Sequence, residues 1–208
     1  AKVLGPEQAA VVGDWYGVTP AGNFEGRSVL TTWKSVPTVA ARHGLDAAGL
    51  RAAVIAADRK LLAARGKRPP PLLDDKVITG WNGLMIDAFA FAGHALRQPR
   101  YVKVAARAAD FALGALRGAD GRLHRAWRNG TVSGVATLDD YAWLIGGLLS
   151  LYEATGEARW LTEARALQAT LDRWYADPDG GYFATAEDGE ALLTREKPEY
   201  DGARPAGN

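Results

Sequence analysis

The sequence contains no cysteine. Disulfides, thiolate metal sites and a cysteine nucleophile are therefore excluded, and the composition is compatible with a reducing compartment such as the cytosol. Histidine is also scarce, with His43, His94 and His124 as its three occurrences. Their spacing relative to acidic residues matches no metal-binding pattern. We therefore expect neither a metal nor another cofactor.

The sequence has no excess of charge of either sign. Lys and Arg total 25 and Asp and Glu total 24, which gives a formal net charge of +1. Long apolar runs are absent, and residues 1–10 lack the basic and apolar regions of a signal peptide. We therefore expect no nucleic-acid partner, no membrane partner and a cytoplasmic location. A hydrophobic content of 48% is typical of a soluble globular protein.

The most apolar helical pattern follows directly on a polar segment. Residues 73–95 read LDDKVITGWNGLMIDAFAFAGHA, and apolar side chains recur at helical spacing after Gly83. A shift of 59 positions along the sequence places the helical part of this segment on residues 138–154, with Ile86 on Ile145. The shifted pattern also continues downstream. A fixed period that contains two helices and a glycine-marked turn indicates a repeat architecture.

The periodicity predicts helices over residues 46–65, 81–96, 101–116, 139–154 and 158–175. A β-hairpin is predicted after each helix pair, over residues 121–133 and 181–194, and Asn129-Gly130 favours a two-residue turn in the first. Another short hairpin is predicted around residues 20–23, with Glu25 just after its turn. Stacked helical hairpins with β-hairpins at one end indicate an all-α fold, a partial α/α toroid, and residues 1–208 are predicted to form one such domain, incomplete as a ring.

In this arrangement the inner helices direct their N-termini at one surface, together with residues 201–208. We predict acid–base roles there for four carboxylates, which are Glu25, Asp75, Asp139 and Asp140. Substrate-binding roles are predicted for Lys76, Trp81, Asn82 and Tyr141. Paired carboxylates serve glycoside hydrolysis, and aromatic faces can stack on sugar rings.

Each of these residues also has a purely structural interpretation. Acids at a helix start bind free N–H groups and interact favourably with the helix dipole, and aromatic residues fill the space between helices. Adjacent residues at a helix start point in different directions, so at most one of Asp139 and Asp140 is expected to face a cavity. For Asp74, Asp75 and Lys76, a salt-bridge cluster that lines the site and a solvated turn after the prolines are both open.

Four motifs resemble a known family. They are YGVTPAGNFEG at residues 16–26, RPPPLLDDKVITGWNGLM at 68–85, LDDYA at 138–142 and DGARPAGN at 201–208. In this order they resemble motifs of the spermatogenesis-associated protein 20 family, also called thioredoxin-domain-containing proteins. The resemblance implies an α/α toroid similar to six-hairpin glycosidases and N-acylglucosamine 2-epimerases. It also implies that an N-terminal thioredoxin-like domain and a C-terminal remainder lie outside these residues.

Two functions are compatible with these observations. One is a carbohydrate-processing domain, glycosidase- or epimerase-like or derived from such an enzyme, with a sugar or other small molecule as its ligand. The other is a non-catalytic binding or scaffold domain that partners a thioredoxin-like domain of the same protein. Toroid epimerases use histidines for proton transfer, and all three histidines lie outside the four motifs. We also expect exposed inner-helix surface, to be covered by missing parts of the protein or, through self-association, by another copy.

Overall fold

The computed structural model describes residues 2–208, which divide into two compact units, one that ends at Leu73 and one over Asp74–Asn208. One toroid-like domain over the whole chain, as the sequence indicates, stays a prediction. The chain is mainly helical, with a small three-stranded sheet. Among the residues described, no helix combines the length and the apolar character needed to cross a lipid bilayer.

The first unit contains helices α1 (Pro6–Trp15), α2 (Val36–Arg42) and α3 (Ala47–Arg65). Helix α3 confirms the prediction for residues 46–65, because the Asp46 carboxylate accepts a hydrogen bond from the Gly49 amide and caps the helix. The sequence analysis did not predict α1 or α2. Their apolar residues join α3 in a small core around Val39 and Leu50.

The hairpin predicted around residues 20–23 is wrong. This part of the chain is a loop with a single bridge between Phe24 and Arg27. The Asn23 side chain takes the place of a strand ladder: its amide donates to the Val29 carbonyl at 2.9 Å, and its oxygen accepts from the Val29 N–H at 2.7 Å. A local side-chain contact of this kind competes with strand pairing.

The second unit alternates helical hairpins with short strands. In chain order its elements are β1 (Val77–Ile78), α4 (Thr79–Ala95), α5 (Pro99–Ala115), β2 (His124–Arg128), β3 (Thr131–Val135), α6 (Leu138–Thr155) and α7 (Ala158–Trp174). Strands β2 and β3 form the predicted hairpin about Asn129-Gly130. Strand β1 was not predicted, and it pairs with β2 just before α4 begins.

The 59-residue repeat is present in the structure. Helices α4 and α6 begin 59 positions apart, as do α5 and α7. The turns that follow correspond as well, because the bridge from Arg117 to Leu123 recurs between Ala176 and Tyr182. The repeated unit therefore comprises a helical hairpin and the closed turn after it.

The second β-hairpin, predicted over residues 181–194, is wrong beyond this bridge. The Ala184 N–H donates to the Glu196 carbonyl, and the Ala184 carbonyl accepts from the Leu138 N–H. Asp188, near the centre of the predicted hairpin, pairs with Arg122. Contacts with α6 and with the later chain therefore replace the local strand pairing.

Helices α4 and α6 approach closely at two glycines. A β-carbon at Gly83 would lie 2.5 Å from the Leu144 backbone nitrogen, and one at Gly147 would lie 2.7 Å from the Gly83 carbonyl oxygen. The Ile86 side chain packs beside Gly147. This contact places the N-termini of α4 and α6 side by side, where the candidate site lies.

Candidate functional site

A cavity of about 260 Å³ lies at the N-terminal ends of α4 and α6. Residues from β1, both helices, β2 and the C-terminal segment line it, namely Ile78, Trp81, Arg125, Thr137, Leu138, Asp139, Asp140, Trp143, Ala184, Pro198 and Arg204. All of these residues belong to the second unit. The predicted surface at the inner-helix N-termini therefore includes a concave site.

Asp140 is buried and its carboxylate is fully engaged. It accepts hydrogen bonds from the Gly80 N–H at 2.9 Å and from the Thr137 N–H at 2.9 Å. The Thr137 hydroxyl and an Arg125 guanidinium nitrogen also donate to it, at 3.1 and 3.2 Å. Through these bonds Asp140 caps α6 and links the start of α4 to it. The geometry assigns Asp140 a structural role.

Asp139 is placed differently, although it is the adjacent residue. Its Oδ1 atom is buried, and within residues 2–208 it makes no hydrogen bond of normal geometry. Burial raises the pKa of the Asp139 carboxyl above its ordinary value, and Asp140 adds to the effect, whereas Arg204 and the Gly207 amide partly offset it. Asp139 is therefore the carboxyl of the pair that the described residues leave incompletely hydrogen-bonded.

Trp143 supplies a second unsatisfied polar atom to the same cavity. The side chain is 7% exposed, and its Nε1 atom is buried without a hydrogen-bond partner among the described residues. The Arg204 guanidinium lies 5.2 Å from the centre of the Trp143 ring, within cation–π range. Asp139, Trp143 and Arg204 thus lie together in the cavity wall, and the first two each have a buried polar atom without a partner.

Trp81 is the aromatic residue on the α4 side of the cavity. It is 56% exposed, in contrast to the buried Trp143. Arg125, from β2, pairs with Asp140 at 3.2 Å. The lining therefore combines an open aromatic face with a polar wall in which the two arginines offset the two carboxylates.

The other predicted site residues do not line this cavity. The Asn82 amide donates to the Ile78 carbonyl at 2.9 Å, and Tyr141 is buried with its hydroxyl accepting from the Leu123 N–H at 2.9 Å. Asp75 pairs with Arg128, and Lys76 pairs with Asp74 at 3.2 Å, both in exposed positions. Glu25 lies in the first unit, exposed, with a φ of 47°.

The sequence analysis did not predict the roles of Arg125, Trp143 and Arg204. Trp143 follows the helical apolar pattern, which predicts a packing residue. Arg125 lies on a surface strand, where a charged residue needs no functional explanation. The motif at residues 201–208 placed Arg204 near the site, but nothing selected its side chain. In residues 2–208, no three His, Asp or Glu side chains converge so as to bind a metal ion.

Comparison with known proteins shows which proteins have a similar sequence. No protein-family model matches it. It is 39% identical over 214 residues to human spermatogenesis-associated protein 20, and 40% identical over 200 residues to the mouse protein. The chain is homologous to part of spermatogenesis-associated protein 20. The family resemblance expected from the four motifs is thereby confirmed.

The match covers most of this chain but a smaller part of its relatives. It includes 93% of the chain and 27% of human spermatogenesis-associated protein 20, and 91% of the chain and 25% of the mouse protein. The chain therefore spans about a quarter of the length of these relatives. The thioredoxin-like domain implied by the family resemblance stays a prediction.

Solved structures show a similar fold. A GH76 alpha-mannanase from Bacteroides thetaiotaomicron matches 85% of this chain and 61% of its own, with a TM-score of 0.50 and 16% identity. A cellobiose 2-epimerase from Spirochaeta thermophila matches 64% of this chain and 34% of its own, with a TM-score of 0.49 and 22% identity. At this level of identity, the mannanase shows a similarity of fold alone.

Proposed function

We propose that the second unit is a carbohydrate-binding domain of the α/α-toroid type, and that the cavity at the start of α4 and α6 is its sugar site. The observation that carries the proposal is the pair of unsatisfied buried atoms, Asp139 Oδ1 and Trp143 Nε1, on two residues that line one cavity. Buried polar atoms are normally hydrogen-bonded. A hydroxyl group both donates and accepts, so a polyhydroxylated ligand can satisfy both atoms.

The remaining lining residues favour a neutral sugar ring. The exposed Trp81 ring offers an apolar face on which the C–H face of a sugar can stack. Because Arg125 and Arg204 offset Asp139 and Asp140, the wall carries no large net charge that would select an ionic ligand. The fold similarity to a mannanase is consistent with this ligand class.

If the site processes a sugar, the chemistry falls to Asp139. A buried carboxyl with a raised pKa is suited to donate a proton to a leaving oxygen and to take one back. Within the described residues, Asp139 and Asp140 are the acids that line the cavity, and Asp140 is engaged by four donors. The opposed pair of free carboxylates used by two-carboxylate glycosidases is therefore not formed by this lining.

This last observation favours a second candidate function, in which the domain binds a sugar or a client for a thioredoxin-like partner without catalysis. A test for turnover distinguishes the catalytic from the non-catalytic function. The full chain is incubated with α-linked mannobiose and with D-mannose, and the products are followed by NMR. Cleavage or epimerisation that Asp139→Asn abolishes supports the enzyme, whereas binding without turnover supports the non-catalytic domain.

Binding itself is tested by calorimetric titration of the full chain with D-mannose and D-glucose. A hydrogen bond to a carboxylate contributes about 1.5 to 3 kcal/mol and one to a neutral amide about 0.5 to 1.5 kcal/mol, so Asp139→Asn should weaken binding by roughly 5- to 10-fold. Asp110→Asn is the matched control, because Asp110 is an exposed α5 carboxylate paired with Arg159. Equal affinity in Asp139→Asn, or no heat from either sugar, would contradict the proposed site.

A further inference from the structure

A groove of about 420 Å³ lies between the two helical hairpins of the second unit, at the end of α4 away from the sugar cavity. The end of α4, the start of α5 and the junction of α6 with α7 line it. Both hairpins are described in full, so contacts inside the repeat form this groove, and it is not a helix face at the edge of the repeat.

The lining of this groove is rich in positive charge. Three of its residues have basic side chains, namely His94, Arg97 and Lys103. The acid in the lining is Glu157, and it already pairs with Arg159 at 2.9 Å. Among the described residues, none of the three basic side chains forms an ion pair. The groove therefore favours an anionic ligand.

The repeat shows that packing of the hairpins does not require these basic residues. Each has a counterpart 59 positions later, in the same place of the second hairpin. None of the counterparts is basic, and in order they are Glu153, Gly156 and Thr162. The same helical geometry is therefore built in the second copy with an acid, a glycine and a neutral side chain.

Helix geometry does not account for the basic residues either. Arg97 has a φ of 53°, in the left-handed region, where its counterpart Gly156 has a φ of 71°. Glycine adopts this conformation without strain, and an arginine does not. A cation near a helix C-terminus interacts favourably with the helix dipole, but Lys103 lies near the N-terminal end of α5, where that interaction is unfavourable.

We propose that this groove binds a phosphate group, either of inorganic phosphate or of a small phosphate monoester. The Arg97 guanidinium can donate two parallel hydrogen bonds to phosphate oxygens, and Lys103 adds a second positive charge. A phosphate group carries close to two negative charges near pH 7, whereas a carboxylate carries one and would leave one of these cations unmatched. The site is separate from the sugar cavity, and the proposal does not rest on the proposed function.

The proposal is tested by NMR titration of the full chain with inorganic phosphate, from about 0.1 to 50 mM at constant ionic strength. Amide signals of the groove residues should shift and saturate. Arg97→Gly and Lys103→Thr introduce the residues of the second repeat. Each should weaken binding by up to about 5-fold, because the side chains are exposed, and the double variant by roughly 10- to 25-fold. Since Arg97→Gly also relieves the left-handed backbone, its melting temperature should rise, which separates lost binding from lost folding.

Arg165→Ala is the matched control. It removes an exposed cation of α7 outside the groove and introduces the residue of its own counterpart, Ala106, so phosphate affinity should be unchanged. Glycerol 3-phosphate distinguishes the two sources, because tighter binding than inorganic phosphate assigns the groove to a monoester and equal or weaker binding assigns it to the free ion. The proposal is overturned by any of three results: no saturable shift with either probe, unchanged affinity in the double variant, or an equal loss in Arg165→Ala. Acetate that binds as tightly as phosphate would overturn it as well.

Discussion

Two adjacent glycines of α6 provide a sharp test of how the second unit is held together. Gly146 and Gly147 both lie in the helix interior, but a β-carbon at Gly146 would meet no atom within 4 Å, whereas one at Gly147 would lie 2.7 Å from the Gly83 carbonyl oxygen. Two Ile86 carbons would lie at 3.1 Å. Alanine at these two positions should therefore have opposite effects on stability.

The magnitude follows from two opposing terms. Replacing glycine by alanine in a helix interior stabilises by about 1 kcal/mol. Two non-bonded heavy atoms normally lie about 3.5 Å apart, so the new β-carbon of Gly147→Ala forces α4 and α6 apart by about 0.8 Å. Overpacking costs about 1 to 3 kcal/mol, and the upper half of that range applies because a backbone carbonyl cannot rotate away. The net loss should be about 1 to 2 kcal/mol.

Urea denaturation followed by tryptophan fluorescence measures both variants at a low protein concentration. Gly146→Ala should raise the free energy of unfolding by up to about 1 kcal/mol, so the two variants differ by roughly 2 to 3 kcal/mol. At about 2 to 4 °C per kcal/mol, this corresponds to melting temperatures roughly 4 to 12 °C apart. Equal stability of the two variants would refute the close α4–α6 contact and the repeat packing inferred from it.

Two further predictions concern the adjacent acids. Asp140→Ala should lower the free energy of unfolding by about 2 to 4 kcal/mol in urea denaturation, because it removes a helix cap and leaves the buried Gly80 N–H unpaired, whereas Asp110→Ala on the surface should change it little. Asp139→Asn should stabilise the chain near pH 7. Burial raises the pKa of the Asp139 carboxyl above the ordinary 3.8, so the native state binds the proton more tightly than the unfolded state does. The stability of the wild-type chain therefore falls as the pH rises through that raised pKa, and the asparagine variant is free of this loss. The stabilisation should disappear near pH 3 in thermal melts, and a destabilised Asp139→Asn at about pH 7 would contradict the environment described for this carboxyl.

The helical part of the second unit could be predicted from the sequence because its apolar pattern repeats at a fixed interval. The 59-residue shift also predicted a second β-hairpin, which the structure does not contain. A local turn motif such as Asp188-Gly189 favours a hairpin only while its residues lack better partners. Here Arg122 binds Asp188, and Leu138 and Glu196 bind the Ala184 backbone. Those partners lie too far along the chain for a local pattern to reveal them.

The first unit was predicted less well for a related reason. Helix α2 has seven residues and starts at Val36 after the Ser35 cap, so it is too short to show a helical period. Helix α1 begins after Gly5 without a side-chain cap. Short helices of this kind are stabilised by tertiary packing, here against α3, more than by local propensity.

The sequence predicted that at most one of Asp139 and Asp140 faces the cavity, but it did not predict which of the two. The signal was present, since Thr137 and Asp140 have the spacing of a capping box, in which the acid binds the backbone at the start of its own helix. Applying that pattern assigns Asp140 to the cap and leaves Asp139 for the cavity. The contributions of Trp143 and Arg204 depend on tertiary contacts, and no local motif encodes them.

The repeat also explains why the Asp139 carboxyl is unusual. Its α4 counterpart, 59 positions earlier, is Gly80, where a β-carbon would lie 2.8 Å from the Trp143 ring and 3.0 Å from Asp140 Oδ1. Packing against α6 therefore leaves room only for glycine in the first copy. In the second copy the same position borders the cavity and carries a carboxyl with a buried, unsatisfied oxygen. Helix packing does not require that charge, and Asp140 already caps the helix. The acid at this position therefore supports the proposed ligand site, where Arg204 and the Gly207 amide already offset its charge in part.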